Sequence, residues 1–135
     1  MALIQWNSTH EAVEVDSPGL GHFLVSPLPP MVGTLEDAVL FCNRNRGWKL
    51  PGRSEARALY RHRRRINACL KEHGLPRICR RSMLWTDEYP FLAGFRGCPV
   101  LCIFMASGHF YEESSSSRNE FRMIYPLETE HGAQE

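Results

Sequence analysis

Five cysteines and six histidines are the residues here whose types could do covalent or metal chemistry. Cys98 and Cys102 stand four apart in "CPVLCIFM", a run that reads as a strand, so the period of two puts both on one face. A nucleophilic thiol needs a depressed pKa in a polar cleft. An apolar strand points instead to core thiols. The odd number of cysteines, and a start without a basic and then apolar leader, favour free thiols over a disulfide framework. His62, Cys69, His73 and Cys79 contain zinc-ligand types, and Cys69 and His73 sit at i, i+4. Their overall spacing is not that of an ordinary zinc site, so no metal and no cofactor are assigned.

The second candidate is electrostatic. Residues 53–81 carry ten Lys/Arg against two acids, a net +8, between arms of −2 (residues 1–52) and −5 (residues 82–135). Arg57, Arg61, Arg64 and Arg65 form a polyanion-binding candidate, with nucleic acid as the alternative partner. Three observations weigh against it. The whole chain has net charge +1, no aromatic residues alternate with the arginines, and a solvated helix face or a dock for the acidic C-terminal arm serves equally well.

The third candidate is a recognition surface. "DEYPFLAGFRG" and "HFYEESSSSR" hold aromatic and arginine residues in loop-like or strand-like settings, the types that dominate interface hot spots.

What must position these groups is a chain of 135 residues, 43% hydrophobic and 23% charged, which suits one globular domain. Its core is expected over about residues 20–127, with a polar, frayed tail at 128–135. No apolar run is long enough to span a membrane. Residues 1–32 read as loop with one or two short strands, at Leu3 to Trp6 and Phe23 to Val25. "GTLEDAVLFCNRNRG" predicts a first helix, capped by Thr34 with Asp37 in the box position and ended by Gly47 at C′. Leu35, Ala38, Val39 and Cys42 share its inner face. A second helix runs from an N-cap at Ser54, with no capping box, to Gly74. Ala56, Leu59, Tyr60, Ile66 and Leu70 form its apolar stripe, interrupted by Arg63. Short aromatic and β-branched runs follow, including a hairpin turning at Ala106-Ser107-Gly108 and a closing strand in "FRMIYPL". Helices followed by strands give an α+β fold, two helices packed beside a small twisted antiparallel sheet.

"EDAVLFCNRNRGWKLPGRSEARALYRHRRRINACL", "LWTDEY" and "GHFYEESSSSRNEFRMIYPL", in that order, resemble the C-type-lectin-like superfamily. More narrowly, they resemble an uncharacterised bacterial domain related in fold to the sulfatase-modifying-factor group. Trp48, Lys49, Leu50, Pro51 and Glu55 match that family's corner. Leu59, Tyr60, Arg63, Ile66 and Asn67 match its helix. Leu84, Trp85, Thr86, Glu88 and Tyr89 match its strand motif, with Leu84 for the usual aromatic and Asp87 where a small residue is common. Phe121, Arg122 and Ile124 match its last strand. The likeness covers roughly residues 34–127.

The resemblance implies a non-enzymatic ligand-binding module, like bacterial and phage members that bind receptors, for a protein or glycan ligand. It implies that Trp48, Trp85 and the corner are frame, with Glu55 tying the helix start to a neighbouring loop. The final strands and the loop before them would present the ligand face: Tyr89, Phe91, Phe95, Arg96, His109, Tyr111 and Arg118. The cysteine-pair motif of the formylglycine-generating relatives and the Glu-Pro-Asn and Gln-Pro-Asp triplets of calcium lectins do not occur here. The missing leader implies a cytoplasmic or phage-associated setting, or the cell surface if a leader has been removed.

Overall fold

The computed structural model describes residues 1–88 and 99–127. Valines alternating with acids begin the core. In β2 (Ala12–Ser17), Val13 and Val15 are buried while Glu14 and Asp16 are partly exposed. Strand β2 lies between β1 (Leu3–Asn7) and β3 (Gly21–Val25), both antiparallel to it, with Val15 opposite Phe23 and Val13 opposite Val25. The N-terminal region is therefore sheet and not mostly loop. The expected patches are β1 and β3, and the acids of β2 concealed a strand of period two.

After β4 (Met31–Gly33) comes α1 (Leu35–Arg44). Its capping box is complete: Asp37 N–H donates to Thr34 Oγ1 at 3.2 Å, and Thr34 N–H to Asp37 Oδ2 at 3.0 Å. Aspartate thus does the work usually given to glutamate. The helix ends at Asn45, so Gly47 lies one residue beyond C′. It has φ +88°, and a Cβ there would meet the Tyr125 ring at 2.5 Å.

The predicted second helix is two helices, α2 (Arg53–Arg61) and α3 (Arg63–Glu72), which meet at His62. The His62 ring is held by buried Ser17 of β2, Nε2 to Oγ at 2.9 Å, where the helix breaks. The α2 N-cap is Gly52 and not Ser54. Glu55 Oε1 accepts from Gly52 N–H at 2.8 Å, so half a capping box is present where none was expected. At the end of α3, Gly74 (φ +67°) donates to Lys71 O and Leu75 N–H to Leu70 O, a Schellman closure. Ala56, Leu59, Ile66 and Leu70 are fully buried, while Arg57, Arg61, Arg64 and Arg65 are not. Each large apolar burial stabilises by about 1.5–3 kcal/mol, against less than about 1 kcal/mol for an exposed ion pair. The apolar side therefore decides where these helices dock.

Among the described residues five strands form the second sheet in the order β4-β8-β5-β6-β7, with β5 at Met83–Trp85, β6 at Pro99–Phe104, β7 at Phe110–Ser114 and β8 at Asn119–Phe121. All pairs are antiparallel except β5 with β8. The closing run splits. Asn119–Phe121 joins this sheet, whereas β9 (Ile124–Pro126) pairs with β3 in the first sheet, giving β1-β2-β3-β9. Arg122, 3% exposed, occupies the crossover. Its Nε donates to Ser26 O and its Nη2 to Pro76 O. Burial pushes its guanidinium down to about 10, still charged at neutral pH.

The architecture is α+β, and the described residues form three helices and two sheets instead of two helices on one sheet. Two cores result. One joins β2, β3, α2, α3 and the inner residues Leu84 and Ile103. The other joins α1 to Trp85, Val100, Cys102 and Phe121, and there Trp85 Nε1 donates to Gly33 O at 2.9 Å.

Candidate ligand-binding site

The corner from Trp48 to Glu55 is a charged hub. Lys49 Nζ donates to Glu55 Oε1 at 3.0 Å, to Asp87 Oδ2 at 3.1 Å and to Leu50 O at 3.2 Å. Asp87 N–H donates to Pro51 O at 3.0 Å. Burial works to lower the Lys49 pKa, but the Glu55 and Asp87 carboxylates outweigh it and hold the ammonium above its ordinary value. The hub fixes the start of α2 to the end of β5. Trp48 packs edge-on to Tyr125 with ring centroids 5.4 Å apart, and Trp85 is fully buried.

The β6–β7 hairpin stands on this frame. Its turn lies at Ala106–Gly108 as the sequence predicts, closed by Gly108 N–H to Phe104 O at 2.7 Å. Gly108 has φ +76°, and a Cβ there would meet the Tyr60 ring at 2.5 Å, so the turn sits directly on α2. Phe104 N–H donates to His109 O. By antiparallel alternation His109, Tyr111 and Glu113 turn their backbone groups toward β6, while Phe110 and Glu112 turn theirs outward. Strand β7 is the sheet's edge, and among the described residues no strand pairs with its outer side.

Side chains alternate too. Phe110 faces α2, beneath the Arg53 and Arg57 guanidiniums at 5.9 and 5.5 Å from its centroid. His109 and Tyr111 take the opposite face, with ring centroids 6.5 Å apart, and Tyr111 is 43% exposed. Phe104 supports Tyr111 edge-on. Arg118 lies elsewhere: its Nη2 donates to Val32 O of β4, at the other edge of the sheet. Of the seven predicted ligand residues the structure thus brings together His109 and Tyr111 but not Arg118. Tyr89, Phe91, Phe95 and Arg96 lie outside the described residues. Phe104 and Arg53 were missed. Arg53 was legible four positions before Arg57, and Phe104 at the outer end of β6, beside Met105.

The arginines separate by role. Arg63 is half-buried, 4.3 Å from the Tyr60 centroid, with Nη1 donating to Tyr60 O. Arg65 reaches Ala2 O at 3.4 Å. Arg57, Arg61 and Arg64 meet no carboxylate among the described residues; the nearest such pair is Arg53 with Glu88, 3.7 Å. Aromatic residues do accompany the arginines. They are Phe110, distant in sequence, and Tyr60.

Buried Cys102 has its thiol pushed up to about 12 by desolvation, and burial also raises Cys42 and Cys69. These are poor nucleophiles. Cys98 lies outside the described residues. His62 is turned to Ser17 and His73 stacks on Trp6 at 3.6 Å, so the His62-Cys69-His73-Cys79 set does not converge. Among the described residues no group of three His, Cys, Asp or Glu could hold a metal ion, and no helix is long and apolar enough to cross a membrane. No known family model matches this chain, and neither does any curated protein.

Proposed function

We propose that this chain is a C-type-lectin-like binding module whose protein or glycan ligand lies along β7. The His109–Tyr111 side chains and the outward backbone groups of Phe110 and Glu112 make the contacts. A bacterial or phage provenance belongs to the same reading. The observation that carries it is the exposed Tyr111, braced by Phe104 on an edge strand that the Lys49 hub and the Gly108–Tyr60 contact hold to the frame. An aromatic side chain with its rotamer fixed loses little entropy on binding. An open edge with outward N–H and C=O groups suits an extended protein segment better than a sugar. The binding reading also agrees with the Cys102 thiol, which burial keeps protonated.

A second reading, binding of a polyanion through Arg57, Arg61 and Arg64, is favoured by the absence of carboxylate partners for these groups among the described residues.

The test is selection of ligands from a random peptide library and a glycan array, comparing the parent with Tyr111→Ala and with Arg57→Gln/Arg61→Gln/Arg64→Gln. Ligands lost with Tyr111→Ala but kept by the arginine variant support the β7 reading. The reverse pattern supports the second.

A further inference from the structure

We infer that the outer side of α2 and the start of α3 bind single-stranded nucleic acid, with phosphates taken by Arg57, Arg61 and Arg64 and an unpaired base stacked on the Arg57 guanidinium. The inference rests on the second reading above and names its ligand.

Arg53, Arg57 and Arg61 follow at intervals of four along α2, so they form one stripe with a rise of about 6 Å per step. Arg64 stands in the first turn of α3, just past the break at His62. Arg57, Arg61 and Arg64 are without a carboxylate among the described residues. A bare cationic stripe would accept any polyanion. What distinguishes this one is the ring beneath it. Phe110 lies under Arg53 and Arg57 together. A guanidinium held over a ring is ordered before the ligand arrives, and its planar outer face is available for stacking. Nucleic-acid bases stack on arginine planes, while acidic peptides and sulfated glycans offer no π-face to use them. Bases are free to stack only when unpaired, which selects single strands over duplex.

This surface is separate from the Tyr111 surface, because Phe110 and Tyr111 point to opposite faces of β7. The two readings can therefore fail independently.

The experiment uses the full chain, a fluorescently labelled oligouridylate of about twelve nucleotides, heparin as a non-stacking polyanion, and anisotropy over a salt series. With three phosphate contacts, log K should fall against log salt with a slope of about −2. Changing Arg57, Arg61 and Arg64 together to Gln should lower oligonucleotide affinity at least about tenfold and bring the slope near zero. Changing the same three to Lys keeps the charge but removes the planar face. It should leave heparin affinity and the salt slope unchanged and weaken the oligonucleotide roughly tenfold. Tyr111→Ala should leave all of these values unchanged. The inference is overturned if the folded parent does not bind the oligonucleotide at low salt, or if the Gln variant binds as the parent does. It is also overturned if the Lys variant binds oligonucleotide and heparin as the parent does, which would mark a generic polyanion surface.

Discussion

Tyr111 stands edge-on to Phe104 of the neighbouring strand, with ring centroids 6.4 Å apart and planes at 72°. Both rings are on the face of the hairpin that Cys102 occupies further in, while Phe110 between His109 and Tyr111 turns to α2. One strand therefore serves two surfaces, an aromatic one supported by β6 and a basic one supported by α2. The frame beneath must hold both faces of β7 at once, so changes to the frame should be felt at both.

Glu55 closes the start of α2 through Gly52 N–H and anchors Lys49. Glu55→Ala keeps a good helix former but removes both bonds. It should cost about 1–2 kcal/mol in urea denaturation. A change within measurement error would show that the hub is incidental to stability.

His62, between α2 and α3, is bonded to Ser17 of β2. Burial lowers its pKa below 6.5, and Arg65 and Arg61 beside it act in the same direction. As pH falls, the unfolded chain takes up this proton before the folded chain does. The contribution of His62 is therefore complete above 6.5 and declines as pH falls toward its folded pKa. Unfolding free energies at about pH 7.5 and about pH 5.5 should differ more for the parent than for His62→Gln. Equal pH dependence in the two proteins would contradict the assignment.

Glycine substitutions should rank by what lies beside them. Gly74 has φ +67° and open space, so Gly74→Ala should cost only the left-handed backbone term, about 1–2 kcal/mol. Gly108 has φ +76°, and the methyl carbon of an alanine there would fall 2.5 Å from the Tyr60 ring, so Gly108→Ala adds steric displacement to the same term. The second should be the more destabilising by at least about 1 kcal/mol. The opposite order would mean that the hairpin turn does not rest on α2.

Local signals were legible where one element determined them. Thr34 with Asp37 marked the start of α1, Leu59, Ile66 and Leu70 marked the buried side of α2 and α3, and Ala106 to Gly108 marked the hairpin turn. What the sequence concealed depended on contacts between distant residues. The break at His62 sits where its ring meets Ser17 on β2, and the crossing of the closing run between sheets sits where Arg122 reaches Ser26 and Pro76. Neither leaves a periodic trace. The strand at Ala12–Ser17 did leave one, but its acids masked an alternation that only pairing on both sides makes decisive. The same limit applied to the site. Phe110 and Arg57 are far apart in the chain, so the aromatic support under the arginines came into view only with the fold.

Whether a ligand lies along the edge of β7 is decided by the affinity of a library-selected peptide for Glu112→Pro. The Glu112 N–H points away from β6, so proline removes an outward donor without breaking the β6–β7 ladder, the setting in which edge strands tolerate it. A ligand paired along β7 requires an unchanged circular dichroism spectrum and at least about a tenfold loss of peptide affinity, similar to Tyr111→Ala. Parent-like affinity in a folded Glu112→Pro protein would contradict the claim that the edge of β7 is the ligand site.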